Sequence, residues 1–332
     1  MESEHQVESE DISYRARPRS RWIRNFQWMV ALLLISLLLY MAGPRQIGAT
    51  LRNIDLAWLS ATVIILLIFD LIGGFNVWIL LSRLARIRLI QFLRVYFIAW
   101  ATGLITPGKI GDASQVFFLK SQGISLDRSS ASYIIDKVIS LCILFLVASI
   151  GITYYLPEIK LWVVFTVPFT LAILGVTIIS LVLRFPDKPA ILRRIRNLTR
   201  NSLNQIFSYK YHSGTILLNV VLTIIKWVIL TLCYYSAFRS FSIALPLKAA
   251  AFIPIMSTLV GYIPVTAGGV GTVELTAVFL FGLEGIPKAS VLSSYLLLRG
   301  IQYLTASILV LSIKHTDTQG HEQRARKGNI NP

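Results

Sequence analysis

Charged residues are scarce in this chain. Only 14% of its 332 residues are acidic or basic, 55% are hydrophobic, and the formal net charge is +16. A soluble domain carries about 25% charged residues, so this scarcity excludes an ordinary soluble protein. Apolar runs reach the length needed to cross a hydrocarbon core of roughly 30 Å, among them residues 26–41, 56–82 and 161–183. The composition therefore predicts an all-α fold, a polytopic membrane helical bundle.

Cysteine and histidine are also few. The two cysteines, Cys142 and Cys233, fall inside apolar runs and indicate no disulfide framework. All four histidines lie outside these runs, so an embedded haem or His-ligated metal site has almost no candidate ligands. The sequence also lacks a Gly-x-x-x-x-Gly-Lys-Ser/Thr nucleotide-binding motif. We therefore expect no metal, no cofactor and no set of catalytic residues, and transport that is passive, partner-driven or ion-coupled.

The excess of basic residues belongs to the loops and tails. Segments 1–24, 83–94, 184–212 and 314–332 together hold 20 Lys and Arg residues, and the segments assigned to the opposite side hold 6. Positively charged loops stay on the cytoplasmic side, which predicts a multi-pass cell-membrane protein with cytoplasmic N- and C-termini. Because these bases flank apolar spans, we expect them to contact anionic lipid and expect no nucleic-acid partner.

The apolar runs predict a single transmembrane domain over residues 22–313. A disordered cytoplasmic tail, 1–21, precedes it, and a second cytoplasmic tail, 314–332, follows it. The domain divides into halves of about 22–183 and 213–313, joined by the basic loop 184–212. In that loop Ile191, Ile195, Leu198 and Ile206 recur at helical spacing among arginines. This pattern fits an interfacial amphipathic helix, and a solvated basic linker is the alternative.

One arrangement of charge occurs twice. Asp112 precedes Lys137 by 25 residues, and Glu274 precedes Arg299 by 25 residues. When the two stretches are aligned without a gap, Gly123 also matches Gly285, and other identities are Val116 with Val278, Phe117 with Phe279, and Ser132-Tyr133 with Ser294-Tyr295. Paired broken helices that carry charge in both halves of a membrane protein are typical of a transport site.

Each acid follows a break rich in proline and glycine. The first break contains Pro107, Gly108 and Gly111, and the second contains Pro264, Gly268, Gly269 and Gly271. The apolar arms on either side are too short to span a bilayer alone. We therefore predict two re-entrant or broken helical hairpins, and the predicted orientation makes them an inverted internal repeat. If every arm crosses fully, the count becomes ten spans.

Ionisable residues inside spans need a partner or a water-filled cavity. The residues concerned are Asp70, Asp112, Asp136, Lys137, Lys226, Glu274 and Arg299. We expect each repeated acid to pair with its base, although capping of a helix N-terminus is an alternative role for the acids. Asp70 and Lys226, each near the middle of a span, are a further potential pair. The glycine-rich second break predicts a nest of free N–H groups that binds an anion, or simply close helix packing.

Four segments carry a resemblance to a known family: residues 106–112, 133–137, 263–274 and 297–299. They are similar to motifs of the flippase-like membrane domain of lysylphosphatidylglycerol synthases, and the similarity extends over about residues 24–313. The glycine-rich segment is the most specific. The resemblance implies lipid translocation.

The chain departs from the family pattern in three places. The first motif commonly reads Pro-Gly-x-x-Gly-Glu with an arginine soon after, whereas Asp112 and Gln115 stand here. The second usually has an acid–arginine pair, whereas this chain has Asp136 and Lys137. No soluble lysyl-transferase domain follows Ile313, so the resemblance implies a stand-alone member without aminoacyl transfer. The altered first site leaves the lipid headgroup open.

The sequence thus predicts translocation of an anionic or modified phospholipid, or of a polyprenyl-phosphate-linked lipid, between leaflets. The alternatives are a membrane transferase that uses Asp112 or Glu274 as a base, and an accessory subunit that positions a glycosyltransferase or synthase. We expect a transporter rather than an enzyme, with anionic lipid headgroups as partners. The predicted substrate-binding residues are Pro107, Gly108, Gly111, Asp112, Lys137, Pro264, Gly268, Gly269, Gly271, Glu274 and Arg299.

Overall fold

The protein, seen in a computed structural model, is all-α. The structure describes residues 54–106, 110–185 and 190–328 and, before residue 54, positions 29, 32–37, 39, 40, 45, 48 and 52. Within these ranges the helices are α1 Leu56–Leu84, α2 Leu89–Ile105, α3 Ser114–Ser121, α4 Leu126–Tyr155, α5 Leu161–Leu183, α6 Ala190–Ser208, α7 Ser213–Arg239, α8 Leu247–Gly261, α9 Thr272–Leu283 and α10 Lys288–Gly328, with 3₁₀ turns at Ile110–Ala113 and Tyr209–Tyr211. The predicted N-terminal tail, Pro107 and Gly108 lie outside the described residues, whereas part of the predicted first span, including positions 32–37, is described and is helical.

Four described helices are long and apolar enough to cross a membrane. They are α1, α4, α7 and the Lys288–Ser312 part of α10. The prediction of a polytopic helical membrane protein is confirmed, and the predicted spans agree with the observed helices within a few residues. The end of α10 differs, because the helix continues to Gly328 beyond the expected end of the span at residue 313.

The helix α7 buries polar side chains together with apolar ones such as Trp227 and Phe238, and the large side chains that it exposes are apolar. Its buried residues include Thr215, Asn219, Thr223 and Ser236. Its exposed large residues are apolar: Leu217, Leu218, Val221, Ile224, Ile225, Val228 and Leu232. A helix in water would have the opposite arrangement. The surface of α7 therefore suits lipid, and the bundle interior suits polar chemistry.

The start of α1 is fixed from two sides. The Asp55 carboxylate accepts hydrogen bonds from the N–H groups of Ala57 and Trp58, at 2.8 and 3.2 Å, and so caps the helix. The Asp55 N–H donates to the carbonyl of Ser240, just after α7, at 2.8 Å. Because the cap is tied to the end of α7, α1 and α7 run side by side. Thr62 of α1 and Ser236 of α7 then share a buried hydrogen bond of 2.9 Å.

The remaining helices pack around this pair. The helix α4 contacts α1, α6, α7 and α8, whereas α10 contacts α2, α7 and α9. The largest apolar core lies among α4, α7, α8, α9 and α10 and includes Leu144, Phe238, Ile253, Phe281 and Leu292. The Phe238 and Phe281 rings lie 4.9 Å apart in it. The core holds α8 and α9 together, and with them the glycine-rich break that joins them.

The two halves repeat one local structure. After α3, Gly123 has φ +80° and the Ile124 N–H donates to the Leu119 carbonyl at 3.1 Å. After α9, the equivalent Gly285 has φ +73°, and the Ile286 N–H donates to the Phe281 carbonyl at 3.1 Å. Both are glycine C-caps of the Schellman type. The following helices, α4 and α10, also begin at equivalent positions. The repeat predicted from the sequence is therefore also present in the backbone conformation of these segments.

The basic loop contains the helix α6. It packs against α4 and α5, and its outer surface exposes Ile191, Ile195 and Leu198 beside Arg193 and Arg194. An exposed apolar stripe next to arginines is typical of a helix lying in the membrane interface. This placement favours the interfacial helix over the solvated linker.

Candidate functional site

A cavity of about 170 Å³ lies between the helices in the middle of the bundle. Residues from α1, α2, α4, α7, α8, α9 and α10 line it, together with the two breaks. Its charged lining residues are three acids and three bases: Asp70, Asp112, Glu274, Lys137, Lys226 and Arg299. Both predicted acid–base pairs therefore face one space. Asp70 and Lys226 face the same space from α1 and α7.

The Glu274–Arg299 pair is the more deeply buried. The Glu274 side chain has 0% exposure, and its Oε1 accepts from the Arg299 Nε. The other oxygen, Oε2, accepts from the Gly271 N–H at 2.6 Å, which caps α9. The Arg299 Nη1 also donates to the Gly268 carbonyl at 3.3 Å. Glu274 thus fulfils both roles that the sequence offered, as a cap and as an ion-pair partner.

The Asp112–Lys137 pair is looser. The Lys137 Nζ lies 3.3 Å from the Asp112 Oδ2, with side-chain exposures of 29% and 20%. Asp112 belongs to the 3₁₀ turn before α3, so it does not cap an α-helix in the way that Glu274 does. A partly exposed pair gains less from its attraction than a fully desolvated one. Lys137 is therefore the base that a ligand can displace from its carboxylate more readily.

The glycine-rich break differs from the predicted nest. Gly268, Gly269 and Gly271 all have positive φ, at 58°, 72° and 86°. Their N–H groups are nevertheless occupied, because Gly268 donates to Thr106, Gly269 to Thr266, and Gly271 to Glu274. The expectation of free N–H groups for a substrate is not met, since the anion at this turn is the chain's own Glu274.

Threonine hydroxyls close the first break. The Gly111 N–H donates to the Thr106 Oγ1 at 2.7 Å, and the Thr106 hydroxyl donates to the Thr102 carbonyl at 3.0 Å. The Thr102 hydroxyl lies 3.0 Å from the Gly111 carbonyl oxygen. These bonds satisfy backbone groups that the end of α2 would otherwise leave unpaired. Thr106 belongs to the segment that resembles the family motif, but no role was predicted for it or for Thr102, although hydroxyl residues beside a helix break are a recognisable signal.

The predicted site residues do not all reach the cavity. Asp112, Lys137, Gly268, Glu274 and Arg299 line it. Gly111, Gly269 and Gly271 belong to the turns behind these side chains and are absent from the lining. Pro264 is exposed in the turn between α8 and α9, also away from the cavity lining. The structure therefore separates residues that face the cavity from residues that shape the breaks.

The aromatic part of the lining was not predicted from the sequence. Seven aromatic rings border the cavity, contributed by Phe69, Tyr96, Trp100, Trp227, Tyr234, Tyr262 and Tyr295. Ser140 Oγ and Trp227 Nε1 belong to the lining, are buried and have no hydrogen-bond partner among the described residues. Unpaired buried donors are unfavourable unless water or a ligand satisfies them. The cavity thus offers a donor from Trp227 in addition to its charges.

Comparison with known proteins gives a family and one distant relative. The sequence model of a family described as the lysylphosphatidylglycerol synthase TM region matches residues 28–309. A curated relative is the UPF0104 membrane protein MJ1078 of Methanocaldococcus jannaschii, 24% identical over 211 residues. That alignment covers 60% of this chain and 87% of the relative. The family match contains both breaks and both acid–base pairs.

Proposed function

Because the chain belongs to the family of lysylphosphatidylglycerol synthase TM regions, we propose that it translocates a phosphate-bearing lipid between membrane leaflets. The lipid is an anionic or modified phospholipid, or a polyprenyl-phosphate-linked lipid. The observation that carries this proposal is the single cavity bordered by both repeated acid–base pairs. A headgroup phosphate is a natural ligand for lysine and arginine.

The charged residues of the cavity support a mechanism in which each base exchanges its carboxylate partner for a lipid phosphate. Each of the two repeated bases is held by a carboxylate when no lipid is present. A phosphate that enters displaces the carboxylate from the base, first at Lys137, whose pair is longer and more exposed. The released Asp112 then faces the cavity and can accept a hydrogen bond from an ammonium or hydroxyl group of the same headgroup. The lipid crosses the bilayer centre without leaving an isolated charge there.

The backbone contact between the breaks supports a two-fold internal repeat. The Gly268 N–H donates to the Thr106 carbonyl at 3.0 Å, and these two residues are equivalent when Asp112 is aligned with Glu274. Equivalent residues of a two-fold repeat meet on its axis. We propose that α2–α3 and α8–α9 are re-entrant or broken hairpins entering from opposite faces, an arrangement that suits alternating access.

Reconstitution into liposomes tests the function. Vesicles should be loaded with lipids labelled on the headgroup: an anionic phospholipid, a zwitterionic one, an aminoacylated one and a polyprenyl phosphate. We expect at least one lipid to equilibrate between leaflets faster than in protein-free vesicles, as followed by accessibility to a membrane-impermeant quencher. Arg299→Gln should slow this by about tenfold or more, because a hydrogen bond to a charged group contributes about 1.5–3 kcal/mol.

Lys288→Gln provides the matched control. It also removes one positive charge from α10, but Lys288 is exposed at the start of that helix and does not line the cavity. Its transport rate should equal that of the unmodified protein. Equal slowing by both substitutions, or no lipid moved above background, would contradict the proposal.

The proposed orientation predicts the accessibility of two surface positions. Arg200 is exposed on α6, and Glu158 is exposed in the turn between α4 and α5. With both termini cytoplasmic, Arg200→Cys should react with an impermeant maleimide only from the cytoplasmic side, and Glu158→Cys only from the outside. Both variants need a background that lacks Cys142 and Cys233. Reaction of the cysteine at position 200 from the outside alone would overturn this topology.

A further inference from the structure

A second polar cluster lies beside the cavity, around Asp136 of α4. The Asp136 Oδ1 accepts from the Asn76 Nδ2 of α1 at 3.2 Å and from the Asn219 Nδ2 of α7 at 3.3 Å. The Asn76 Nδ2 also donates to the Thr223 hydroxyl oxygen at 2.9 Å. Asp136 is 3% exposed, and the other three residues are 0% exposed. The cluster is therefore sealed inside the bundle, where three helices meet.

The carboxylate of Asp136 lacks a counter-ion in this cluster. Its hydrogen-bond partners in the described part of the chain are the two amides, and none of the ion pairs formed by the described residues includes it. An ionised carboxylate buried in a membrane without a cation is strongly unfavourable. Two neutral amides do not remove this charge. Lys137, the next residue, interacts with Asp136 electrostatically but forms its ion pair with Asp112, so a cation in direct contact with Asp136 would stabilise the cluster.

Two unused oxygens point to what that charge is. Asn76 Oδ1 and Asn219 Oδ1 are buried and have no hydrogen-bond partner among the described residues. Rotating either amide by half a turn exchanges its nitrogen and oxygen without changing its shape. After rotation, the Asn76 oxygen takes the place of the nitrogen that now contacts Asp136 and Thr223, and the Asn219 oxygen takes the place of the nitrogen that now contacts Asp136. Rotation of Asn219 also breaks its bond of 3.1 Å to the Asn76 carbonyl and adds that carbonyl oxygen to the group of oxygens. Such a set of oxygens with a single negative charge suits a small monovalent cation, because hard cations take oxygen ligands.

We propose that Asp136, Asn76, Asn219 and Thr223 form a binding site for one small monovalent cation, H⁺ or Na⁺. With Na⁺ the amide oxygens and the hydroxyl coordinate the ion directly. With H⁺ the carboxyl is protonated and the same ligands hold it by hydrogen bonds. Both cations neutralise one buried charge at the same place.

The position of the cluster connects it to the cavity. Asn76 lies three residues after Gly73 on α1, and Thr223 lies three residues before Lys226 on α7, whereas Gly73 and Lys226 both line the cavity. Asp136 directly precedes Lys137 on α4. The cation site is therefore about one helical turn from the lipid-facing charges. This step rests on the proposed function: binding of a cation at the site changes the electric field at Lys137. The change couples cation binding to lipid movement.

Other titratable groups act on Asp136 from the helices around it. Tyr96 of α2 and Tyr133 and Lys137 of α4 interact with it electrostatically. Asp70 of α1 and Lys226 of α7 line the adjoining cavity. Because several of these groups can titrate, a pH effect by itself does not identify the site. The test therefore compares cations and variants at each pH.

Thermal unfolding of the purified chain in detergent tests the site without lipid transport. We expect Tm to rise by about 5 °C in NaCl relative to choline chloride of equal concentration if the cation is Na⁺. If it is H⁺, Tm should rise by a similar amount on mild acidification, with no difference between the salts. Asp136→Asn should abolish either rise, whereas Thr223→Val should abolish the Na⁺ effect alone. Glu158→Gln, in the exposed turn after α4 and outside both the cluster and the cavity lining, should retain the rise.

Dicyclohexylcarbodiimide gives a second readout on the unmodified chain, should Asp136→Asn not fold. This reagent adds to a protonated buried carboxyl group, and mass spectrometry locates the adduct. Modification of Asp136 that Na⁺ prevents supports the Na⁺ site, and modification that only alkaline pH prevents supports the H⁺ site. Tm independent of Na⁺ and pH, or a rise that persists in Asp136→Asn, overturns the proposal. Neither readout involves lipid. A negative result in these two experiments therefore leaves the translocation proposal standing, and a negative result in the liposome assay leaves the cation site standing.

Discussion

Replacing Glu274 by glutamine is expected to lower the free energy of unfolding by about 3–5 kcal/mol, because it leaves the buried Arg299 without its carboxylate. Arg299→Gln should have a comparable effect, since it leaves the fully buried Glu274 with only the Gly271 N–H as partner. Denaturant titration in mixed micelles measures both changes. The rate of lipid transport should also fall in each of these two variants.

The double variant shows whether Glu274 and Arg299 stabilise the protein as a pair or independently of each other. Glu274→Gln combined with Arg299→Gln should be less destabilised than the sum of the two single changes by about 1–3 kcal/mol. Transport should not recover, because the arginine is proposed to meet the lipid phosphate. The cycle for Asp112→Asn and Lys137→Gln serves as the comparison and should give a coupling of about 1 kcal/mol, since that pair is partly exposed. Strict additivity at Glu274 and Arg299 would show that these residues do not act as a pair.

The second large effect is expected at Gly268. Its φ of +58° disfavours any residue with a Cβ atom, and a Cβ built there would overlap the carbonyl oxygen of Leu104 in α2. The overlapping atom belongs to helix backbone, which cannot rotate away. Gly268→Ala should therefore destabilise the protein by about 2–5 kcal/mol and separate the two breaks. Thermal unfolding and the liposome assay measure the two consequences.

Substitutions at two other glycines distinguish the effect of the positive φ from the effect of the close contact with Leu104. Gly285 has a φ of +73° but no neighbouring atom within 4 Å of a Cβ, so Gly285→Ala should cost about 1 kcal/mol from the backbone alone. Gly282, inside α9, has open space and no positive φ, so Gly282→Ala should be neutral or stabilising by up to about 1 kcal/mol. Equal tolerance at all three positions would exclude the close contact between Gly268 and α2.

The sequence predicted those features that depend on local pattern. The apolar runs located α1, α4 and α7, because a bilayer requires long apolar helices whatever their neighbours are. The equal spacing from acid to base located both ion pairs, because equivalent residues of a repeat have equivalent surroundings. These inferences need no knowledge of how distant helices pack.

The missed features depend on contacts between distant segments. Asn76, Asp136 and Asn219 lie on three helices far apart in sequence, and nothing local in any of them indicates that they meet. The occupied nest was missed for a related reason. The glycines alone predict N–H groups that can bind an anion, but Glu274 supplies that anion only because α9 begins directly after Gly271.

The bond from the Gly268 N–H to the Thr106 carbonyl has a direction, and a two-fold operation reverses it. If the two halves exchange conformations during transport, the same contact must run from the Thr106 N–H to the Gly268 carbonyl. That carbonyl already accepts from Arg299 and, with two lone pairs, can accept the Thr106 N–H as well. The proposed exchange therefore passes through a state in which the bond from Gly268 to Thr106 is broken and the reversed bond has not yet formed. In the proposed mechanism, the cost of this state is independent of how tightly the lipid binds.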